Sequence, residues 1–132
     1  DGSPEVADVK IGGTWRSVLV AGLNAGGRGF YALDVTNPDE PTALWELCAD
    51  PAVCSGDNFD ADLGLSFGSA QIGTWKGSDQ VERWVAFLSS GYNNIPGTDG
   101  VAGGNGNGKG YLYVVDIASG RVVSKITTGS GD

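Results

Sequence analysis

The sequence predicts an all-β protein, a partial β-propeller of about two four-stranded antiparallel blades. Trp15–Asn24 and Trp84–Asn93 are both apolar segments ending in Gly-x-Asn, and each leads through a glycine-rich turn to an apolar strand that ends in Asp34 or Asp116. Internal repetition of hairpins is typical of propellers. No segment has an apolar period of 3.6 residues, so we expect no helix of consequence. Glycine, at 23 of 132 residues with 40% hydrophobic residues, separates strands here.

The strands follow from apolar runs bounded by turn residues. We expect the first blade at about 14–62, with strands at 17–23, 30–35 and 43–47. We expect the second blade at about 66–129, with strands at 69–75, 84–90, 111–117 and 121–126. Residues 93–109 form an insertion of low complexity between the two central strands of the second blade.

Chain length predicts a segment of a larger propeller. A blade uses roughly 40–50 residues and closed propellers have about four to eight blades. The 132 residues therefore supply two to three blades, and they include no Met. The expected partners are the remaining blades of the parent chain.

Composition excludes several functions. The net charge of −8 and the pI near 4.2 disfavour nucleic-acid binding, because the phosphate backbone would be repelled. No apolar run approaches the ~20 residues of a membrane-spanning helix. The chain has no His, which excludes Ser/His/Asp and Cys/His catalysis and His-based metal sites within it. An enzyme is therefore not favoured.

Five residues separate the two cysteines, in Cys48-Ala-Asp-Pro-Ala-Val-Cys54. A Pro-containing turn of this length can bring the sulfurs together, and a polar turn is a poor place to bury free thiols. We therefore predict a Cys48–Cys54 disulfide, which indicates an oxidising compartment. Two buried free thiols are the alternative.

One acidic loop is a candidate metal site. Asp57, Asp60 and Asp62, with Asn58, place several oxygen donors close together, and calcium prefers six to eight oxygens. The spacing lacks a mid-loop Gly and a downstream Glu, so a solvated acidic turn is the favoured interpretation. We expect no cofactor in this segment, and weak calcium binding or none.

The remaining motifs favour structural roles. Asp34 and Asp116 end equivalent strands, so we expect each carboxylate to bond the backbone of the following turn. Residues 103–110 approach a phosphate-binding loop, but Gly110 replaces the required Ser or Thr and a strand follows. Residues 24–29 resemble a dinucleotide fingerprint but join strand to strand. The four Trp residues are expected to pack between sheets.

The ordered motifs resemble the C-terminal β-propeller of the PilC/PilY1 family of type IV pilus biogenesis and adhesion proteins. The segments that carry the resemblance span nearly the whole chain: 1–4, 7–9, 15–38, 44–46, 62–68, 90–94, 112–116 and 119–120. The resemblance implies an exported protein at the cell surface, pilus tip or outer membrane, with pilus components or a host surface as partners. It also implies calcium binding in the parent protein, through a loop expected after Asp132.

The predicted function is a non-catalytic structural and interaction module of a pilus-tip protein. A fragment of a quinoprotein (PQQ-type) dehydrogenase is an alternative, because its propeller repeats carry a phrase similar to Gly110–Gly120. A carbohydrate-binding β domain that uses its Trp residues is a further alternative.

Overall fold

The computed structural model describes residues 2–95 and 104–131, and it confirms an all-β architecture. Two four-stranded antiparallel sheets follow one another along the chain, each in simple sequential strand order. No helix occurs in the described ranges. The first sheet contains β1 (Glu5–Ile11), β2 (Thr14–Gly22), β3 (Gly29–Asp34) and β4 (Thr42–Cys48); the second contains β5 (Gln71–Lys76), β6 (Glu82–Ser89), β7 (Lys109–Asp116) and β8 (Val122–Gly131).

Strand β1 is an element that the sequence does not predict. It pairs with β2 over its whole length, from Glu5 opposite Val20 to Ile11 opposite Thr14, so the first sheet begins before residue 14. Its side chains alternate between the two faces, with Val9 fully buried and Val6, Asp8 and Lys10 exposed. Because Glu5, Asp8 and Lys10 interrupt the apolar residues, the segment contains no apolar run longer than two residues.

The two blades repeat the same backbone irregularity. In the first blade the β3–β4 register shifts between Ala32 and Leu33, and in the second the β7–β8 register shifts between Val114 and Val115. Each shift leaves one extra residue on the outer strand, which is a β-bulge. Each bulge lies the same number of residues before the strand-end Asp of its blade, Asp34 or Asp116. The backbone therefore confirms the repeat.

The register also corrects the alignment of the two repeats. Val18 lies opposite Asp34, and Val85 lies opposite Asp116, so these two pairs are equivalent. Counting from them, Trp84 takes the position of Ser17 and not that of Trp15. The second blade has two more residues between its aligned Val and the Gly-x-Asn segment, and this insertion hides the offset in the sequence.

One hydrophobic core joins the blades. Opposite residues of an antiparallel pair share a face, so one face of the first sheet carries Val18, Val20 and Ala32. The facing side of the second sheet carries Ala86, Leu88 and Tyr113. All belong to a single buried cluster, whose other members are Val9, Phe30, Trp45, Leu47, Ala49, Leu63, Ala70, Val115 and Ile117.

Candidate interaction site at the junction of the two blades

The junction of the blades is organised by the connector, residues 49–70, which runs from β4 to β5. Several residues of the connector are fully or nearly fully buried, among them Leu63, Leu65 and Ser66. Its backbone pairs with the second blade, because Leu65 N–H donates to Tyr92 C=O and Tyr92 N–H donates back to Leu65 C=O. The connector is therefore a structural part of both blades.

Ser66 fixes the connector to the first blade. Its hydroxyl donates to the carbonyl of Gly29 at 2.7 Å and accepts from the N–H of Leu23 at 2.8 Å. Ser66 is completely buried. A buried hydroxyl that satisfies backbone groups on both sides of the β2–β3 turn defines the position of that turn.

Trp45 makes a direct bond between the sheets. Its indole Nε1–H donates to the carbonyl of Ile117 at 2.9 Å in a buried environment. Gly120 follows in the β7–β8 turn at φ +75°, and a Cβ there would lie 2.6 Å from Cγ of Trp45. Only glycine suits both the positive φ and this close approach. Trp45 therefore packs between sheets, as predicted, and anchors the turn of the second blade.

The described ends of the 93–109 insertion also bond to the junction. The Asn94 amide donates to the carbonyl of Asp62 at 2.8 Å, and Asn107 N–H donates to the Asp62 carboxylate at 3.0 Å. Arg28, which is 4% exposed, donates from Nε and Nη2 to the carbonyl of Asn93. Residues 96–103 lie outside the described residues, and with them the start of the glycine-rich run at 103–110.

The Lys125 cluster, formed by Asp60, Asp62, Tyr111, Tyr113 and Lys125, is the most highly charged feature of the junction. Lys125 Nζ lies 2.9 Å from both carboxylate oxygens of Asp60 and 2.6 Å from Oδ2 of Asp62. The same ammonium lies 4.4 Å and 5.5 Å from the ring centroids of Tyr111 and Tyr113. A cation between two carboxylates and two aromatic faces joins β8 to the connector.

The protonation states of the cluster follow from its surroundings. Burial opposes the charge on Lys125, but the hydrogen bonds that its ammonium donates to Asp62 and Asp60 outweigh this effect and raise the pKa of the ammonium. Burial, followed by the charge of Asp60, raises the pKa of the Tyr113 phenol far above its ordinary value. The Tyr113 hydroxyl is buried near Asp60, but no hydrogen bond of acceptable geometry joins them. The phenol is therefore neutral and Lys125 is charged at physiological pH.

The structure divides the three candidate metal ligands. Asp60 and Asp62 come together at the Lys125 ammonium, whereas Asp57 is exposed and lies outside the cluster. Asp60 also orders its own turn, because its carboxylate accepts from the N–H of Asp62 at 2.9 Å. Among the described residues, no group of three or more acidic or cysteine side chains is placed to hold a metal ion.

The predicted disulfide is present between Cys48 and Cys54, with Cα atoms 6.1 Å apart. It closes a loop directly before the Lys125 cluster. Cys48 N–H donates to the carbonyl of Asn58, and Asp60 N–H donates to the carbonyl of Cys48. The disulfide therefore holds the strand end against which Asp60 is positioned.

The two strand-end Asp residues have the predicted structural role. The Asp34 carboxylate accepts from the N–H of Thr36 at 2.9 Å, and the Asp116 carboxylate accepts from the N–H of Ala118 at 3.1 Å. The bonds from Thr36 lower the pKa of Asp34 against the effect of burial, with a further contribution from Arg16. Each carboxylate bonds the backbone two residues ahead, as in an Asx-turn.

Sequence reasoning missed Lys125 and Tyr113 as site residues. Tyr31 lies opposite Glu46 in the first blade, and Tyr113 lies opposite Lys125 in the second, so these pairs are equivalent. The signal that could have identified Lys125 is this register, since a cation replaces an acid at a repeated position. The register becomes visible only after the bulge is located.

These features define a class of protein: two adjacent, face-packed blades of a β-propeller, joined through a bonded connector. The chain belongs to the PilY1 β-propeller family, since the sequence model of the PilY1 beta-propeller domain matches residues 1–132.

Similar proteins agree with this assignment. The chain is 34% identical over 99% of its length to a type IV pilus biogenesis factor PilY1 homolog of Xylella fastidiosa, and 32% identical over 96% to PilY1 of Pseudomonas aeruginosa strain PAO1. It spans 8% and 9% of those proteins. The crystal structure of the P. aeruginosa PilY1 C-terminal domain matches 98% of this chain with a TM-score of 0.71 and 31% identity, and 23% of that domain is covered.

Proposed function

We propose that this chain supplies two blades of the propeller of an exported type IV pilus biogenesis protein, and that it acts there as a non-catalytic structural and interaction module. The observation that carries the proposal is the match of the whole chain to the PilY1 propeller, in sequence and in fold. The relatives are named as pilus biogenesis factors, which supports a role in pilus assembly at the cell surface.

The two outer faces of the blades support a continuing propeller. The face of the first sheet that turns away from the second carries Leu19, Ala21 and Leu33, at the positions equivalent to Ala86, Leu88 and Val115 of the inter-blade core. The three positions are thus apolar in both blades, although within this chain only the second blade packs this face against another sheet. Flanking blades of the parent protein are the proposed partners of both outer faces.

The alternatives receive less support from the residues. Trp45 and Trp84 pack in or against the core, and Trp15 contacts Trp84 edge-on with ring centroids 5.9 Å apart. Trp15 is 58% exposed and so does not pack between sheets as expected, but its edge-on arrangement with Trp84 does not form a flat platform on which a sugar could stack. Within the described ranges no helix is long and apolar enough to cross a membrane.

Calcium does not suit the acidic loop of this chain. Asp60 and Asp62 already surround an ammonium, and Asp57 lies apart from them. We therefore predict that calcium binds this chain weakly or not at all, while the parent protein binds it elsewhere. Calorimetry on the chain provides the measurement: a micromolar Kd that is abolished by Asp60→Ala would contradict the prediction.

Complementation of a gene deletion tests the functional proposal. Removal of the parent gene from its own host should abolish or strongly reduce surface pili, and the wild-type gene should restore them. Leu88→Asp places a charge in the buried core between the blades and should fail to restore pili. Glu82→Gln, on the exposed start of β6, is the control and should restore them. Normal piliation in the deletion strain would overturn the proposal.

A further inference from the structure

The free edge of β4 and the disulfide loop, residues 48–56, form a groove. Ala43, Leu44, Trp45 and Glu46 line one side of it, and Ser55 and Gly56 line the other. Its volume of about 270 Å³ lies below the roughly 300–1,000 Å³ of sites for drug-sized molecules. The groove is therefore better matched to a side chain of a docked peptide than to a separate small ligand.

The backbone of β4 is available along this groove. Ala49 N–H donates inward to the carbonyl of Arg28, while the N–H and C=O of Cys48 bond outward to Asn58 and Asp60. Because inward and outward groups alternate along a strand, the N–H and C=O of Glu46 also point outward. Within the described residues neither group bonds to another backbone atom. The outward backbone groups of β4 are therefore hydrogen-bonded at Cys48 and available to a partner strand at Glu46.

The disulfide loop frames the groove and does not cover the edge. The Cys48–Cys54 bond returns the chain to β4, and the Glu46 carboxylate accepts from both the N–H and the hydroxyl of Ser55 at 2.8 Å. Phe59 stands beside Cys48 in a one-residue parallel bridge, and its side chain is 56% exposed. The open edge therefore has an apolar neighbour and a preformed shape.

Charge around the edge specifies the occupant. Residues 29–75 contain eight carboxylates and no Lys or Arg. Three of them form ion pairs: Asp34 with Arg16, and both Asp60 and Asp62 with Lys125. The carboxylates that form no ion pair within the described residues lie within β4 or close to it in the sequence: Asp39, Glu40, Glu46, Asp50 and Asp57.

We propose that the β4 edge is a docking site for an extended, basic peptide segment, which adds as a strand beside Glu46 with Lys or Arg side chains facing these carboxylates. Strand addition to an exposed sheet edge is an established mode of peptide recognition. A second copy of this chain suits the edge poorly, because edge-to-edge pairing would bring one acidic β4 against another. The proposal extends the interaction role proposed above, but direct binding to the chain tests it independently of piliation.

The experiment uses the full 132-residue chain and an eight-residue peptide of alternating Lys and Thr. The first comparison is with the same peptide N-methylated on alternate residues, which keeps the charge but removes the donors that strand addition needs. We expect N-methylation to weaken binding about tenfold, from the loss of two edge hydrogen bonds. Amide exchange should show new protection at Glu46 only with the unmethylated peptide.

Two variants test the charge. Glu46→Gln keeps an acceptor for Ser55 but removes the charge, and it should weaken peptide binding roughly two- to fivefold. Glu82→Gln makes the same change on the second sheet and should leave binding unchanged. Equal binding of both peptides, an equal effect of the two variants, self-association of the chain through β4, or no binding at all would each overturn the proposal.

Discussion

The two blades share their backbone design but use their charged side chains differently. Arg16 and Arg83 are equivalent, since each lies two residues before the Val that faces the strand-end Asp. Arg16 pairs with that Asp, with Nη1 2.7 Å from Asp34, whereas Arg83 pairs with Asp79 in its own hairpin turn at 2.6 Å. The backbone bulge and Asx-turn recur because backbone geometry requires them, while ion pairs form with whichever acid the local turn supplies.

A second equivalent position makes the same point more strongly. Glu46 of the first blade bonds the disulfide loop, whereas Lys125 of the second bonds two carboxylates of the connector. The charge at this position is reversed, and each side chain binds a segment that lies outside its own sheet. In both blades the side chain opposite the repeated Tyr thus binds the connector, and its charge is negative in the first blade and positive in the second.

The largest effect on stability is expected at the equivalent positions Trp45 and Ser124, where the side chains of the two blades differ greatly in size. Trp45→Ala should reduce the free energy of unfolding by about 3–5 kcal/mol, because it empties a buried volume and leaves the Ile117 carbonyl without its donor. Ser124→Ala should change it by less than about 0.5 kcal/mol. Urea denaturation measures both. Similar losses of stability at the two positions would show that Trp45 does not pack between the blades.

The second largest effect on stability is expected from the disulfide, which only the first blade has, because Thr127 of β8 takes the position of Cys48. Replacing both cysteines with Ser should cost roughly 2–2.5 kcal/mol on the loop-entropy relation for so short a loop. Unreduced wild-type protein from an oxidising compartment should have a mass lower by two hydrogens than the reduced form. Two thiols that alkylate readily in the native protein would count against both the bond and export.

A smaller effect is expected from Lys125. Lys125→Met should cost about 1–2 kcal/mol at neutral pH, between the values for exposed and buried pairs, because Asp60 and Asp62 lose their shared cation. Glu46→Gln at the equivalent position should cost less than about 0.5 kcal/mol.

The pH dependence of this difference has a definite sign. Folding raises the pKa of Lys125, so its contribution is fully present below the ordinary lysine value of about 10.4 and is lost as pH rises through the folded value. The stability difference between wild type and Lys125→Met should therefore shrink above that pH. A difference that persisted undiminished at high pH would remove Lys125 from this role.

The smallest expected effect is a change in the pKa of Asp34, which should respond to Arg16 but not to Arg83. Carboxyl titration by NMR should find the pKa of Asp34 below its ordinary value, because Thr36 bonds it and Arg16 adds to the shift. Since this pKa is lowered, its contribution to stability is present above the ordinary Asp value and is lost as pH falls through the folded value. Arg16→Gln should raise the Asp34 pKa slightly, and Arg83→Gln should leave it unchanged. Equal shifts would place both Arg residues at the strand-end Asp.

Features that depend on short segments of the chain could be predicted from the sequence. Alternating apolar strands, the glycine-rich turns and the Asx-turns at Asp34 and Asp116 follow from segments a few residues long, and so does the short disulfide loop. Such features need no distant partner, so residue type and spacing are sufficient to predict them.

Contacts between residues far apart in the chain could not be predicted in this way. Strand β1 depends on pairing with β2, and Lys125 reaches carboxylates 63 and 65 residues away in the chain. The ion pair of Arg16 with Asp34 and the bond from Trp45 to Ile117 likewise join residues 18 and 72 positions apart. These contacts depend on sheet register and on how one blade packs against the next, and a two-residue insertion that the sequence does not reveal changes both.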